Sequence, residues 1–160
     1  MAVAKLGDHF SLLGLPCGMV LSYQVLEESF LEKQREFHPD RYHDSFERQI
    51  AEAMSSRLNE AYRVLKDPIR RAEYLLQLLG VSYVADTALA VQAFNRRESF
   101  QRMTHAEREE FIAKLRSENN ELKISLEQES AVENLGEILQ RMQYNLAFLH
   151  EIDSDSDGNV

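Results

Sequence analysis

Apolar residues recur along this chain at steps of three and four almost throughout, and no stretch shows the alternation of a half-buried strand. The pattern predicts a short first helix around Asp8 to Leu13, with Phe10 and Leu13 on one side, stopped by Gly14 and Pro16. Ser22 can cap a second helix that carries Tyr23, Leu26, Phe30 and Phe37 on one face and turns Glu28, Glu32, Arg35 and Glu36 to solvent. That helix must end before Pro39, whose ring crowds the preceding residue out of the helical region. A third helix from about Ser45 presents Ile50, Met54, Leu58, Ala61 and Leu65. Asp67-Pro68 then opens a fourth, with Ile69, Ala72, Leu76 and Leu79, which Gly80 ends.

A short connection (81–86) leads to three further helices. Two of their starts are marked by capping-box spacing, Thr104 with Glu107 and Ser130 with Glu133, in which hydroxyl and carboxylate satisfy orphan amide groups reciprocally. The middle helix offers Phe111, Leu115, Leu122 and Leu126. The last offers Leu135, Ile138, Leu139, Met142, Leu146 and Leu149. The expected fold class is therefore all-α. A four-helix unit over 8–80 precedes an antiparallel three-helix bundle over 86–152, and an acidic tail fills 153–160.

Composition narrows the function classes. The chain has 160 residues, enough to bury a core without disulfide or metal staples. Cys17 is its one cysteine, so no intrachain disulfide or thiolate cluster can form, and a reduced, intracellular setting is expected. The net charge of −9 removes sequence-independent nucleic-acid binding, which needs a basic face against phosphates. No apolar run is long enough to span a bilayer. Phe10 to Leu21 faintly imitates a signal-peptide core, but Asp8 precedes it and Gly14, Pro16 and Gly18 interrupt it.

Candidate chemistry gathers at His38-Pro39-Asp40, in the loop that the proline makes obligatory between two amphipathic helices. Phe37 precedes the tripeptide and Arg41-Tyr42 follow it. Asn59-Glu60-Ala61-Tyr62, Leu65, Asp67-Pro68, Arg71 and Tyr74 come later in order. This set resembles the J-domain family and covers about half the chain. The resemblance implies a helical hairpin, formed by the second and third helices, with the His-Pro-Asp loop exposed at its tip. It further implies that this loop and the basic face of the second helix dock on an ATP-bound DnaK-type chaperone and promote hydrolysis there. The chaperone-binding residues carried over are Lys33, Arg35, His38, Pro39, Asp40 and Arg41. Asp40 suits a charge-assisted bond with a partner arginine, and Pro39 limits the entropy lost on docking. The second helix departs from the strongly basic pattern of many J domains: Lys33 and Arg35 stand amid glutamates, which favours a specialised chaperone.

Asp8-His9-Phe10-Ser11-Leu12-Leu13-Gly14-Leu15-Pro16, Arg71-Ala72-Glu73-Tyr74-Leu75-Leu76 and the carboxyl bundle are similar to the HscB-type co-chaperones of iron–sulfur cluster assembly. The Gly/Phe-rich linker and Cys-x-x-Cys modules of general J chaperones are absent, as is an amino-terminal zinc-binding extension. The likeness implies an HscA-like chaperone and an IscU-like cluster scaffold as partners, the latter held on the first and third helices of the bundle. A helical wheel places Leu89, Ala93, Phe100 and Met103 on a core face, and Ala90, Val91, Phe94, Arg97 and Glu98 on a separate arc. Aromatic and arginine residues in such a setting are typical interface anchors. Arg97 and Glu98 match an Arg-Glu pair of the family, and Phe94 takes a leucine-like position. Ala90, Val91 and Asn95 depart from it, and Ile138 is the expected third-helix contact.

The expected function is thus a non-enzymatic co-chaperone that stimulates the partner's ATPase and delivers the scaffold, with no cofactor of its own. Bacterial cytoplasm is the expected location, with the mitochondrial matrix as alternative. One alternative function is a J-domain co-chaperone for another client. A second is a small helical metal protein using His38, Asp40 and His43. Phe94 has a competing role as core, covering the connection or the fourth helix. Cys17 reads as a packing residue, and Tyr62 and Tyr74 as packing between the third and fourth helices. The run from Asp153 to Gly158 imitates the start of a calcium loop, but the chain ends before the bidentate glutamate, so a frayed tail is expected.

Overall fold

A computed structural model describes residues 7–82 and 86–157, with side chains as far as Ser154; 83–85 of the connection and 158–160 of the tail lie outside the described residues. All regular structure among the described residues is helical. The helices are α1 (His9–Leu12), α2 (Tyr23–Glu36), α3 (Ser45–Lys66), α4 (Pro68–Leu79), α5 (Thr87–Gln101), α6 (His105–Gln128) and α7 (Val132–Asp157), with a single 3₁₀ turn at Pro39–Arg41. The chain divides into two units between Gly80 and Val81.

In the first unit α2 and α3 form an antiparallel hairpin. Gln34 bonds Ser55 and Asn59, Phe30 stacks on Tyr62 at 4.3 Å, and the Tyr23 hydroxyl donates to the Lys66 carbonyl at 2.6 Å, marking successive levels along the pair. Leu26, Leu58, Ala61, Leu65 and Leu76 are buried between the helices. Each such leucine contributes about 1.5–3 kcal/mol of apolar burial. Ile50 does not join them: it is 49% exposed, and Ala51 is buried in its place. Both fit the spacing to Met54. However, Ala51 stands seven residues before Leu58, within about 20° of its direction, whereas Ile50 is about 80° away.

Caps fix the ends of these helices. Asp8, Asp44 and Asp67 each accept amide hydrogens from the first turn that follows, and Gly80 ends α4 with φ of 68°. Ser22 occupies the N-cap of α2 without a side-chain bond. Arg71 is buried, 2% exposed, and its Nη1 donates to the Leu65 carbonyl at 2.8 Å across the Asp67-Pro68 corner. The ring contacts of the two tyrosines reach beyond the seam of α3 and α4. Tyr62 meets α2 through Phe30, and Tyr74 meets α1, stacking on His9 at 4.3 Å while its hydroxyl accepts the His9 amide hydrogen at 2.9 Å.

In the second unit α7 packs against both α5 and α6. The Thr104–Glu107 capping box forms at α6. At α7 the expected Ser130–Glu133 start gives way to one residue later: the helix opens at Val132, and the Glu129 carboxylate takes the Ala131 amide hydrogen and the Asn134 side chain. Leu115, Phe148 and Leu149 form a core cluster, with Phe100 and Phe111 tilted or edge-on around it. Leu146, expected inside, is exposed. Asn145 and Leu146 both continue the stripe from Met142, and Asn145 takes the inner place because its Oδ1 accepts from Arg96 at 3.0 Å. The final helix runs through Asp157. Arg116 bonds Asp153 at 3.2 Å, and Ser154 bonds back to the His150 carbonyl at 2.7 Å.

Candidate functional site

The candidate loop begins where α2 runs out of amide hydrogens. The last carbonyls of a helix lack intrahelical partners. Here Arg41 Nη1 donates to the Arg35 carbonyl at 2.9 Å, and the Tyr42 hydroxyl donates to the Glu36 carbonyl at 3.1 Å. A guanidinium at a helix C-terminus also answers the negative end of the macrodipole. At the other end Asp44 caps α3, accepting from Phe46 and Glu47. Between these anchors His38 Nδ1 accepts the Asp40 amide hydrogen at 3.3 Å, and Pro39 opens the 3₁₀ turn.

The Asp40 side chain is 90% exposed, with the His38 ring 3.7 Å away. The loop thus holds a carboxylate clear of the surface on a backbone fixed from both sides, an arrangement fit for capture by a cation of another protein. Arg35 is exposed. Lys33 is not simply available: Glu36 holds its ammonium at 2.8 Å and, through that hydrogen bond, above the usual lysine range. Arg41 shapes the loop through Arg35, a structural part the sequence did not reveal. Among the described residues His38, Asp40 and His43 are not brought together into a group of three that could hold a metal ion.

The second candidate surface is the outward arc of α5. Phe94 is 61% exposed and Val91 and Glu98 are also exposed, while Ala90 and Arg97 are half-buried. Phe94 lies about 140° around the helix from the buried Leu89, off the face that α5 buries. Arg97 ties the arc to α7: its Nη2 meets Glu151 at 2.9 Å and its guanidinium lies 5.6 Å from the centre of the Phe148 ring. Glu98 faces Arg102 at 3.8 Å.

Ile138 stands well short of Phe94 along the bundle. Gln140, two residues on, accepts the amide hydrogen of Asp86 at the very start of α5. Phe94 stands eight residues past Asp86, about 12 Å farther along the axis. From α7 two aromatic side chains border the hollow that Arg97 lines: Phe148, whose ring lies 5.6 Å from the Arg97 guanidinium, and the half-buried Tyr144. A wheel of one helix cannot show this, because it depends on the relative stagger of α5 and α7.

Comparison with known proteins follows the two units. Residues 8–74 match the DnaJ domain. The chain is 35% identical over 107 residues to the co-chaperone protein HscB of Proteus mirabilis, covering 62% of each chain. It is 42% identical over 86 residues to an HscB homologue of Bordetella petrii, covering 52% of this chain and 51% of that protein. These alignments span less than two thirds of either relative. The structure of the chaperone HscB from Vibrio cholerae superposes with a TM-score of 0.69 at 26% identity, over 96% of this chain and 99% of that one. Human co-chaperone protein HscB shares the fold at a TM-score of 0.68, with 24% identity over 98% of this chain and 85% of its own. Among the described residues no helix is long and apolar enough to cross a membrane.

Proposed function

Because the chain is a J-domain protein of the HscB type, we propose that it stimulates the ATPase of a specialised DnaK-type chaperone and delivers an iron–sulfur cluster scaffold protein to it. The observation that carries this reading is the braced turn at Pro39–Arg41, with Asp40 projecting into solvent. Docking costs least when the loop is already in its bound shape, and the bonds from Arg41 and Tyr42 to α2 supply that preorganisation. Asp40 offers the charge-assisted contact, and Arg35 adds the nearby positive charge. Residues His38, Pro39, Asp40, Lys33, Arg35 and Arg41 form the proposed chaperone-facing set.

The scaffold is proposed to sit on the α5 arc. Phe94 is the apolar anchor there, Val91 widens it, and Arg97 and Glu98 supply polar contacts at its edge. From α7, Ile138 and Tyr144 are proposed to add to the arc, Tyr144 through the hollow that it borders with Arg97.

A steady-state ATPase assay with an HscA-like chaperone, with and without an IscU-like scaffold, tests both halves. The parent protein is expected to raise turnover, and Asp40→Asn to abolish that rise while helicity and scaffold binding persist. Stimulation that survives Asp40→Asn refutes the role given to the loop. The small side chains of Ala90 and Val91 favour a second reading, a J-domain co-chaperone serving a different client through the same arc. Retained ATPase stimulation without scaffold capture in a pull-down would favour it.

A further inference from the structure

The hollow enclosed by α5, α6 and α7 holds hydrogen-bond donors that the fold itself leaves without acceptors. It has a volume of about 90 Å³, and Gln92, Arg96, Arg97, Arg141, Glu118, Tyr144 and Asn145 supply its polar lining. Asn145 is 4% exposed. Its orientation is fixed by chemistry: a guanidinium can only donate, so Oδ1 must face Arg96 Nη1 at 3.0 Å and Nδ2 is left over. Among the described residues Nδ2 has no partner, and neither has the buried Nε of Arg97. A buried donor without an acceptor costs about 1–3 kcal/mol.

Each guanidinium at the hollow has a carboxylate partner. Three guanidiniums border it against one carboxylate, Glu118, which reaches Arg96 only at 3.5 Å. Arg97 and Arg141 find their carboxylates, Glu151 and Glu137, outside the lining. Water could accept from these spare donors one at a time; a carboxylate, with two oxygens and about four acceptor positions, can accept from both at once, and the hollow is several times larger than a single water requires.

We propose that the hollow between α5, α6 and α7 is a binding site for a carboxylate group, received by Asn145 Nδ2 and Arg97 Nε within the field of Arg96 and Arg141. The group comes either from a small organic acid in solution or from an acidic side chain of a protein docked on the α5 arc. Arg97 belongs to both the arc and the hollow, so the two sources share one entrance. The carboxylate site stands independently of the identity of the docked protein.

The test uses the full chain and sodium acetate as probe, with sodium chloride at matched ionic strength as control. Amide and guanidinium NMR signals of Asn145 Nδ2 and Arg97 Nε are followed through the titration. Saturable movement with acetate and none with chloride is expected. Asn145→Leu is expected to weaken acetate binding about tenfold or more, the loss of one charge-assisted bond. Should that variant fail to fold, Arg141→Gln gives the second reading. Its side chain is about half exposed and its ion pair lies within one helix, so the fold tolerates the change. A several-fold loss of acetate affinity is expected there. Absence of saturable acetate binding to the parent protein overturns the proposal. Equal binding of acetate and chloride overturns it too, leaving an unselective ion site. Addition of an IscU-like scaffold then separates the sources: displaced acetate assigns the site to a partner side chain, and unchanged acetate binding assigns it to a free acid.

Discussion

Arg41 donates its Nη1 to the carbonyl of Arg35, so one arginine of the loop region is spent on holding the end of α2 on which the other stands. The bond at 2.9 Å closes the turn that carries Asp40, and Tyr42 repeats the device on Glu36. Rigidity of the loop therefore comes from its flanks as well as from Pro39.

Arg41→Ala is expected to lower ATPase stimulation while the melting temperature stays close to that of the parent, since the bond is exposed. Combining it with Tyr42→Phe is expected to reduce stimulation further, as both braces are then gone. Stimulation unaffected in the double variant would show that the flanking bonds do not shape the functional loop. A stopped-flow or steady-state ATPase assay reads this directly.

Phe94 and Phe148 make a contrasting pair in the second unit. Phe94→Ala is expected to weaken partner binding by about 1–2 kcal/mol or more with thermal stability unchanged, because its ring is largely in solvent. Phe148→Ala is expected to cost about 3–5 kcal/mol of stability, since its ring is wrapped by Phe100 and Phe111. Calorimetric titration and thermal melts on both variants check the division. A loss of stability in Phe94→Ala would restore it to the core.

Arg71→Leu is expected to destabilise the first unit by about 1–3 kcal/mol, because the buried Leu65 carbonyl would lose its charged donor. Chemical denaturation measures the change. A neutral result would mean that the carbonyl finds another donor at the Asp67-Pro68 corner.

Stability of the first unit is expected to fall as the pH drops through the ordinary histidine range. Burial beneath Tyr74 pushes the His9 imidazole below its usual 6.5, outweighing the nearby Glu60 and Asp8 carboxylates. The unfolded chain then takes up the proton first. The stabilising contribution is complete above about pH 6.5 and is lost as pH falls through the lower folded value. Melting temperatures between pH 5 and 7.5 would show this decline for the parent, and a flatter profile for His9→Phe, which keeps the stacked ring. Identical profiles would contradict the assignment.

Most of the architecture was legible because each helix announces itself locally. Asp8, Asp67 and Thr104 stand at their caps, and Gly80 adopts the left-handed conformation that ends α4. Errors arose where two neighbouring positions satisfied the same three-or-four spacing, as with Ile50 and Ala51, or Asn145 and Leu146. Periodicity gives the width of a buried stripe, and only a partner helix decides which edge of it is covered. Polarity misled at Asn145, which is buried because an arginine on α5 reaches it.

By itself the sequence determined seven helices, their order, and a proline-fixed acidic loop between the second and third, because caps, breakers and amphipathic spacing act within a few residues. The tertiary structure alone decided that Arg41 braces the loop, that Phe148 and Glu151 of α7 stand beside Arg97, and that Arg97 and Asn145 border one hollow. Those relationships depend on the stagger and rotation of one helix against another, which arise from side chains far apart in the chain meeting only after it has folded.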